Sequence, residues 1–264
     1  MKNKLIAGGC SFTLGNELSD DNDGKTPSKK SWAYNLNETI GSEYVCTAFG
    51  GLGNQAIARR VFNAVSRNQN ITGVVVMWSF LSRYDWAMPR HKILEDTRWA
   101  SISPWDTRAG DDEAKEAMAR SQEQQEQWRI RQELFSETGV RDFAESIYKY
   151  GANEYHEIYL SWKSIIWLQN ILEKKKIPFM FTLADNSLFY QEFNQHKDQD
   201  SFMNALHSEI DLSKWFFFGE RCMGFNQWAM LEDYPRGTTH PLDEAHKDAV
   251  QLMLPTFKKL IGGE

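Results

Sequence analysis

The sequence predicts an α/β protein, a three-layer α/β/α sandwich around a mostly parallel sheet of about five strands. Short apolar runs alternate with helical patterns from the first residues to the last, as in chains built from strand–helix–strand units. Val74, Val75, Val76 and Met77 follow one another without a polar break, which is typical of a strand covered on both faces. A length of 264 residues, 41% of them apolar, is enough to bury one sizeable core.

The first half of the chain alternates three predicted strands with two predicted helices. Residues 3–9 form a short apolar run and predict the first strand. The next helix follows a polar loop, with Ser31 as a suitable N-cap and Gly41 as a suitable stop. The other predicted elements in this half are, in order, the strand EYVCTAF, the helix QAIARRVFNAVSR and the strand ITGVVVMWS.

Residues 84–140 break this alternation and predict an insertion within a single domain that spans residues 1–264. A loop containing Trp and Pro opens the insertion, and a polar helix at about 111–136 follows it. Beyond the insertion the strand–helix pattern returns. The predicted elements there are a helix over 141–175 that breaks near Gly151, the strand IPFMFTLA, a polar helix within 186–210, the strand KWFFFG and a last helix that opens at Pro241.

Composition limits the partners and compartments to expect. A net charge of −6 and a pI near 5.6, without a basic stripe, argue against nucleic acid as a partner. Three scattered cysteines suit a reducing compartment. The apolar run Leu5–Gly9 is too short for a secretory signal or a membrane span, so we expect a cytoplasmic or virion-associated protein without membrane association. The histidines show no metal-ligand spacing, so we expect neither a metal nor another cofactor.

Polar residues follow the predicted strands at the edge where a parallel sheet places its functional site. Ser11 comes after the first strand, and Gly51 and Asn54 come after the second. A serine becomes a nucleophile when a base takes its proton and N–H donors hold the developing oxyanion. The candidate base is His240, and the candidate donors are the backbone N–H groups of Ser11 and Gly51 and the Asn54 amide. Structural roles stay open, because Ser11 and Asn54 also suit helix N-caps, Gly51 a plain turn and His240 an exposed loop.

These segments resemble the sequence blocks of the SGNH (GDSL-like) hydrolases. GGCSFTLG resembles the first block, with Ser11 at the nucleophile position, and FGGLGN resembles the second, with Gly51 as the oxyanion glycine. THPLDEAH resembles the last block, whose histidine is followed by proline. The order of the blocks covers nearly the whole chain apart from the insertion. It looks most like a divergent branch found in bacteriophage and bacterial genomes. The resemblance implies a flavodoxin-like sheet and hydrolysis of esters or acyl groups, often deacetylation of glycans.

The chain departs from this family pattern just before the candidate base. The family usually places an aspartate two or three residues before its histidine, where this chain has Thr238 and Gly237. The nearest acids are Asp233 upstream and Asp243 downstream. Asp243 also stands three residues before His246, a spacing that makes the two neighbours on one helical face and therefore further candidates for a catalytic or a packing pair. Without an orienting carboxylate the imidazole tautomer is not fixed, which in other triads costs several orders of magnitude in rate.

A second departure follows the third strand, where the family has Gly-x-Asn-Asp. This chain has Trp78-Ser79-Phe80 there, without an asparagine. Asn54 from the neighbouring loop is the candidate substitute. Arg83, a few residues further on, is the other candidate to stabilise an anion.

The sequence therefore predicts a serine esterase or acyl hydrolase of SGNH type, acting on a small ester or an acylated glycan, with carbohydrate O-deacetylation as the expected reaction. The two departures leave an alternative open, a catalytically impaired structural or binding protein, for example in a virion or a homo-oligomer. A third alternative is a phosphate or nucleotide binder, which no Walker or dinucleotide motif supports. The tryptophans that suit either a sugar-stacking wall or core packing are Trp78, Trp86, Trp99 and Trp105.

Overall fold

A four-stranded parallel sheet lies at the centre of the computed structural model, which describes residues 3–88, 99–111, 122–189 and 197–262. In chain order the strands are β1 (Lys4–Gly8), β2 (Glu43–Cys46), β3 (Ile71–Trp78), β4 (Tyr84–Ala87), β5 (Trp99–Ile102) and β6 (Phe179–Leu183). The sheet has the order β2–β1–β3–β6, and every pairing in it is parallel. All four carboxyl ends therefore share one edge, where β1 ends between β2 and β3.

The helices pack on the main sheet or, in the predicted insertion, against the pair β4 and β5. In chain order they are α1 (Ser11–Leu14), α2 (Trp32–Ile40), α3 (Asn54–Arg67), α4 (Gln122–Glu137), α5 (Val140–Ser146), α6 (Glu154–Lys174), α7 (Lys197–Ser208), α8 (Phe225–Leu231) and α9 (Asp243–Phe257). Helix α2 packs against α9, and α3 packs against α6. The predicted ends of α2 are confirmed, because the Ser31 hydroxyl accepts from the Tyr34 N–H and Gly41 closes the helix at a φ of 62°.

The core confirms the predicted sandwich. Val74, Val75, Val76 and Met77 of β3 are all fully buried, as a strand between two helical layers must be. In β1, Leu5, Ile6 and Ala7 are fully buried as well. Among the described residues, no helix is long and apolar enough to cross a membrane.

Two predicted elements differ from the structure. The segment KWFFFG does not add a fifth strand: Trp215 makes a single bridge to Phe181, and the chain then turns so that the Phe218 N–H donates to the Met223 carbonyl. The last helix begins at Asp243 rather than at Pro241, because Pro241 instead forms an antiparallel bridge. In both segments local turns use backbone hydrogen bonds that a longer strand or helix would need, and hydrophobic periodicity does not reveal such turns.

The predicted insertion contributes a small ribbon and an apolar cluster of its own. Strands β4 and β5 pair antiparallel, apart from the main sheet. Their buried residues Tyr84 and Ile102 pack with Phe135 of α4 and with Val140 of α5. Helix α4 falls within the predicted polar helix, whereas residues 89–98 and 112–121 of the insertion lie outside the described residues.

Candidate active site

Two glycines bring Ser11 to the carboxyl edge of the sheet. A Cβ at Gly8 would lie 2.3 Å from Val61 Cγ2 on α3, and a Cβ at Gly9 would lie 2.0 Å from Thr13 Oγ1. Both contacts require glycine, because the backbone passes too close to its neighbours for a side chain. Ser11 follows as the first residue of the one-turn helix α1 and is 8% exposed.

His240 meets Ser11 at this edge from 229 positions further along the chain. The distance from His240 Nε2 to Ser11 Oγ is 2.7 Å. A tight turn carries the histidine, in which the Gly237 N–H donates to the His240 carbonyl over 2.9 Å. The ring of Phe12 packs against the imidazole, with the two centroids 4.6 Å apart. The predicted nucleophile and base are therefore within hydrogen-bonding distance of each other.

Glu17, which the sequence motifs did not indicate, supplies a carboxylate behind the histidine. Its Oε1 lies 2.8 Å from His240 Nδ1, and its side chain is 2% exposed. The Thr239 hydroxyl donates to the same oxygen over 2.7 Å, and the Thr239 N–H donates to both carboxylate oxygens over 3.2 and 3.3 Å. Because a carboxylate only accepts, Nδ1 carries the imidazole proton, and Nε2 accepts from the Ser11 hydroxyl.

Gly237 accounts for the absence of an acid just before the histidine. A Cβ at Gly237 would lie 1.8 Å from Glu17 Oε2, so any side chain there would displace the carboxylate. The carboxylate beside His240 thus comes from Glu17, near the amino-terminal end of the described chain, and not from a residue just before the histidine. The residue that looked like a departure is the one that makes room for the acid.

The backbone after α1 turns sharply to place Glu17. Gly15 ends α1 at a φ of 88°, and Glu17 itself has a φ of 73°, which is uncommon for a residue with a side chain. The Glu17 N–H donates to Asp21 Oδ2 over 2.8 Å and is held there. Burial raises the pKa of Asp21, and this rise is opposed by the hydrogen bond from the Gly24 N–H and, to a smaller extent, by the nearby His240. The sequence signal for Glu17 is weak, since left-handed backbone at a glutamate is not predictable from residue type.

The two other predicted oxyanion donors differ in exposure, since Gly51 is exposed and Asn54 is buried. Gly51 is exposed in the loop after β2 and has a φ of 77°, a conformation that favours glycine. Asn54 is 2% exposed, and its amide donates to the Ser79 carbonyl (3.1 Å) and to Ser161 Oγ (3.0 Å). Its Oδ1 accepts from the Ser79 N–H over 2.7 Å. The prediction that the Asn54 amide holds an oxyanion is therefore corrected, because both of its N–H groups already have partners.

The Asp-x-x-His pair of the last helix has structural contacts instead of a catalytic arrangement. Asp243 accepts from the Ser19 N–H (2.9 Å), the Ser19 hydroxyl (2.6 Å) and Lys30 Nζ (2.7 Å). Burial opposes its charge, but the hydrogen bonds from Lys30 and Ser19 outweigh burial and lower its pKa to about 2. His246 is fully buried and accepts at Nδ1 from the Trp32 N–H at the start of α2. Burial lowers the pKa of His246 to about 3, so it is neutral at pH 7.

The last two candidates, Asp233 and Arg83, also have defined places. Asp233 is exposed after α8, with a φ of 55°, and the carboxylate beside His240 is that of Glu17. Arg83 is half-buried, and its Nη1 donates to the Leu52 carbonyl (3.2 Å) and to Ser79 Oγ (2.9 Å). Arg83 therefore joins the loop after β2 to the end of β3.

The four tryptophans considered for a sugar-stacking wall do not share one surface. Trp78 is fully buried in the core. Trp86 and Trp99 are exposed, but Trp86 pairs with Ala100 and Trp99 with Ala87, so successive register places them on opposite faces of the ribbon. Trp105 is half-buried. Within the described ranges, no group of three or more His, Cys, Asp and Glu residues is placed to hold a metal ion.

The similarities to known proteins are structural and of low sequence identity. No protein-family profile and no curated protein matches the sequence. The chain is similar in structure to the psychrotrophic esterase EstA from Pseudoalteromonas sp., with 11% identity, 97% of each chain covered and a TM-score of 0.45. It is similar to a member of the lipolytic protein G-D-S-L family from Veillonella parvula, with 11% identity, 97% of this chain and 99% of that chain covered and a TM-score of 0.44. It is also similar to a carbohydrate acetylesterase family member from Sinorhizobium meliloti, with 11% identity, 99% and 100% coverage and a TM-score of 0.44.

At such low identities and TM-scores these similarities do not assign an activity to this chain. What the chain itself defines is an α/β sandwich with a serine, a histidine and a glutamate joined by hydrogen bonds at the carboxyl edge of a parallel sheet. Any functional assignment has to follow from the chemistry of those three residues.

Proposed function

We propose that this chain is a serine esterase in which Ser11 is the nucleophile, His240 the general base and acid, and Glu17 the carboxylate that orients His240. The single observation that supports it most is the continuous series of hydrogen bonds from Ser11 Oγ through the imidazole to the Glu17 carboxylate, 2.7 and 2.8 Å long. Nucleophile, base and orienting group in that order are the arrangement that activates a serine hydroxyl.

The proposed reaction has two halves. Ser11 Oγ attacks the ester carbonyl carbon while its proton passes to His240 Nε2. The bond to the leaving alcohol then breaks as His240 returns the proton to the alcohol oxygen, and Ser11 is left acylated. Water repeats the attack on the acyl-enzyme, giving its proton to His240, and the acid leaves as Ser11 recovers its hydrogen. Glu17 stabilises the imidazolium in both halves without itself taking the proton.

Backbone N–H groups are the proposed donors to the oxyanion. Ser11 is the first residue of α1, whose opening N–H groups precede the first bonds within the helix. The first backbone hydrogen bonds of α1 run from the Thr13 and Leu14 N–H groups to the Cys10 carbonyl. The Ser11 N–H precedes these bonds in the chain. In this proposal the Ser11 N–H and the Gly51 N–H converge on the carbonyl oxygen of the substrate.

The proposed substrate is a small ester or an acylated glycan. The motif resemblance favours removal of an O-acetyl group from a carbohydrate as the reaction. The alternative of an impaired structural or binding protein, in a virion or an oligomer, drew on the missing aspartate and the missing asparagine. Glu17 provides a carboxylate in place of the former, which removes one of the two reasons for that alternative. The second reason, the missing asparagine, stays, because the Asn54 amide already donates to Ser79 and Ser161.

A covalent probe tests the proposal directly. A fluorophosphonate should label the wild-type protein and should not label Ser11→Ala, and p-nitrophenyl acetate hydrolysis should fall by about 10³-fold or more in the same variant. Ser164→Ala is the matched control, because the Ser164 hydroxyl only bonds the Leu160 carbonyl on α6. Equal labelling of wild type and Ser11→Ala, or no labelling of the folded wild-type protein, would exclude Ser11 as a nucleophile.

A further inference from the structure

The loop of residues 49–53, here called the crossing loop, passes over the carboxyl end of β1. At its start the Phe49 N–H donates to the Gly9 carbonyl over 3.4 Å. At its end a Cβ on Gly53 would lie 2.5 Å from the Arg83 carbonyl oxygen, beyond the end of β3. Because β1 lies between β2 and β3, a chain that runs from one contact to the other crosses the end of β1, next to Gly9 and two residues before Ser11.

Two side chains fasten the far end of the crossing loop to the end of β3. Arg83 Nη1 bridges the Leu52 carbonyl (3.2 Å) and Ser79 Oγ (2.9 Å). Asn54, immediately after the loop, bonds both the N–H and the carbonyl of Ser79, over 2.7 and 3.1 Å. Asn54 and Ser79 are both nearly or fully buried, so these bonds are shielded from competing water.

The middle of the crossing loop has no comparable support. A Cβ added at Gly50 or at Gly51 would meet nothing within 4 Å. Gly51 has the left-handed φ of 77° that any other residue would resist. The Gly51 backbone is therefore held through its neighbour Leu52, which is buried in the core and whose carbonyl accepts from Arg83, rather than by packing around Gly51 itself.

We propose that Arg83 and Asn54 are positioning residues that fix the Gly51 N–H for the oxyanion by anchoring the crossing loop to β3. The inference rests on the proposed esterase function and deepens it. It gives Asn54 a role in place of the direct contact predicted from sequence. It also uses Arg83 through its bond to the Leu52 carbonyl, without a contact to the substrate.

The test compares an ester with its thionoester. A thiocarbonyl sulfur accepts hydrogen bonds poorly, so an enzyme that depends on oxyanion donors hydrolyses p-nitrophenyl acetate much faster than p-nitrophenyl thionoacetate. In Arg83→Ala we expect kcat for the ester to fall about 10- to 100-fold, short of the 10²- to 10³-fold loss of a whole donor, with KM within about twofold. The ester-to-thionoester rate ratio should fall by the same factor, and Arg83→Lys should restore part of it.

A matched control separates positioning from general loosening. Arg59 on α3 is also half-buried and bonds Asp85 through two nitrogens, and neither described bond involves residues 49–53. Arg59→Ala should lower thermal stability yet keep the wild-type ester-to-thionoester ratio. An unchanged ratio in Arg83→Ala, or an equal fall in both variants, overturns the proposal.

Hydrogen exchange tests the anchoring without any substrate. The amide hydrogens of residues 50–53 should exchange faster in Arg83→Ala than in wild type, and no faster in Arg59→Ala. Unchanged exchange at 50–53 overturns the proposal even if the protein proves not to be an esterase. Failure of the esterase proposal is recognised separately, by full activity in Ser11→Ala.

Discussion

At the scale of single residues, Glu17 contacts the histidine from a position 223 residues before it in the sequence. Its two oxygens accept from the Thr239 N–H, the Thr239 hydroxyl and His240 Nδ1, and these bonds hold the carboxylate against the histidine. Its left-handed backbone costs on the order of 1 kcal/mol and is tolerated because these buried bonds hold it.

Glu17→Gln tests this residue with almost no change of shape. The amide is neutral and cannot stabilise an imidazolium, and it can also donate to Nδ1 and so favour the wrong tautomer. We expect kcat for p-nitrophenyl acetate to fall by about 10³- to 10⁴-fold with little change in KM. Glu173→Gln, at an exposed position on α6, is the control and should keep wild-type kinetics. A loss of less than about threefold in Glu17→Gln would show that Glu17 does not orient the base.

At the scale of elements, the one-turn helix α1 and the long helix α9 are held together through the segment of residues 15–31. Asp243, the first residue of α9, accepts three hydrogen bonds from Ser19 and Lys30 of that segment. Glu17 lies in the same segment and points at the turn that precedes α9. The contact between these elements is thus what brings the two ends of the chain to one site.

Asp243→Asn should loosen this contact. The amide can still accept from the Ser19 N–H but loses the ion pair with Lys30, so we expect faster hydrogen exchange across residues 15–31 and a modest fall in kcat. Asp248→Asn is the control on the same helix, because Asp248 bonds the Tyr234 hydroxyl instead. If residues 15–31 exchange equally fast in both variants, the anchoring role of Asp243 is refuted.

The pKa of Asp243 gives the same contact a pH limit. Its pKa is about 2 in the folded protein and 3.8 as the ordinary value. A carboxyl with a lowered pKa stabilises the fold fully above the unfolded value, and that contribution is lost as pH falls through the folded value. The tie between α9 and residues 15–31 is therefore complete above about pH 4 and weakens between pH 4 and pH 2.

At the scale of the whole molecule, His246 makes the fold sensitive to acid over a wider range. It is fully buried, and burial, with a smaller contribution from His240, lowers its pKa from 6.5 to about 3. Asp243 acts on it in the opposite direction. Between pH 6.5 and pH 3 the unfolded chain takes up a proton here that the folded protein does not. Stability therefore falls as pH is lowered through this window, by up to about 1.4 kcal/mol per pH unit.

Urea unfolding at pH 7, 6 and 5 measures this dependence. His246→Asn keeps an acceptor for the Trp32 N–H but cannot be protonated. Its free energy of unfolding should therefore change less steeply with pH than that of the wild type, by up to about 1.4 kcal/mol per pH unit, the effect of one proton. His156→Asn replaces an exposed histidine on α6 and should keep the wild-type slope. The prediction fails if His246→Asn and wild type have the same slope.

Much of the architecture was predictable because it follows from local patterns. The apolar runs at β1, β3 and β6 and the caps of α2 are visible within a few residues of sequence. The prediction of a fifth strand at KWFFFG was wrong, because Trp215 makes only one bridge to β6 before the chain turns away. The start of α9 was misplaced for a related reason, since Pro241 satisfies a bridge and not the first turn.

By itself, the sequence determined the layered fold and the order of its strands and helices, and it singled out Ser11 and His240, because periodicity and turn residues act over short stretches of chain. Only the tertiary structure decided which carboxylate stands behind His240 and what Asn54 bonds. Those outcomes depend on distances between segments far apart in sequence, on a left-handed φ at Glu17 and on the space that Gly237 leaves open. No local pattern encodes such distances, since they are set by how the whole chain packs.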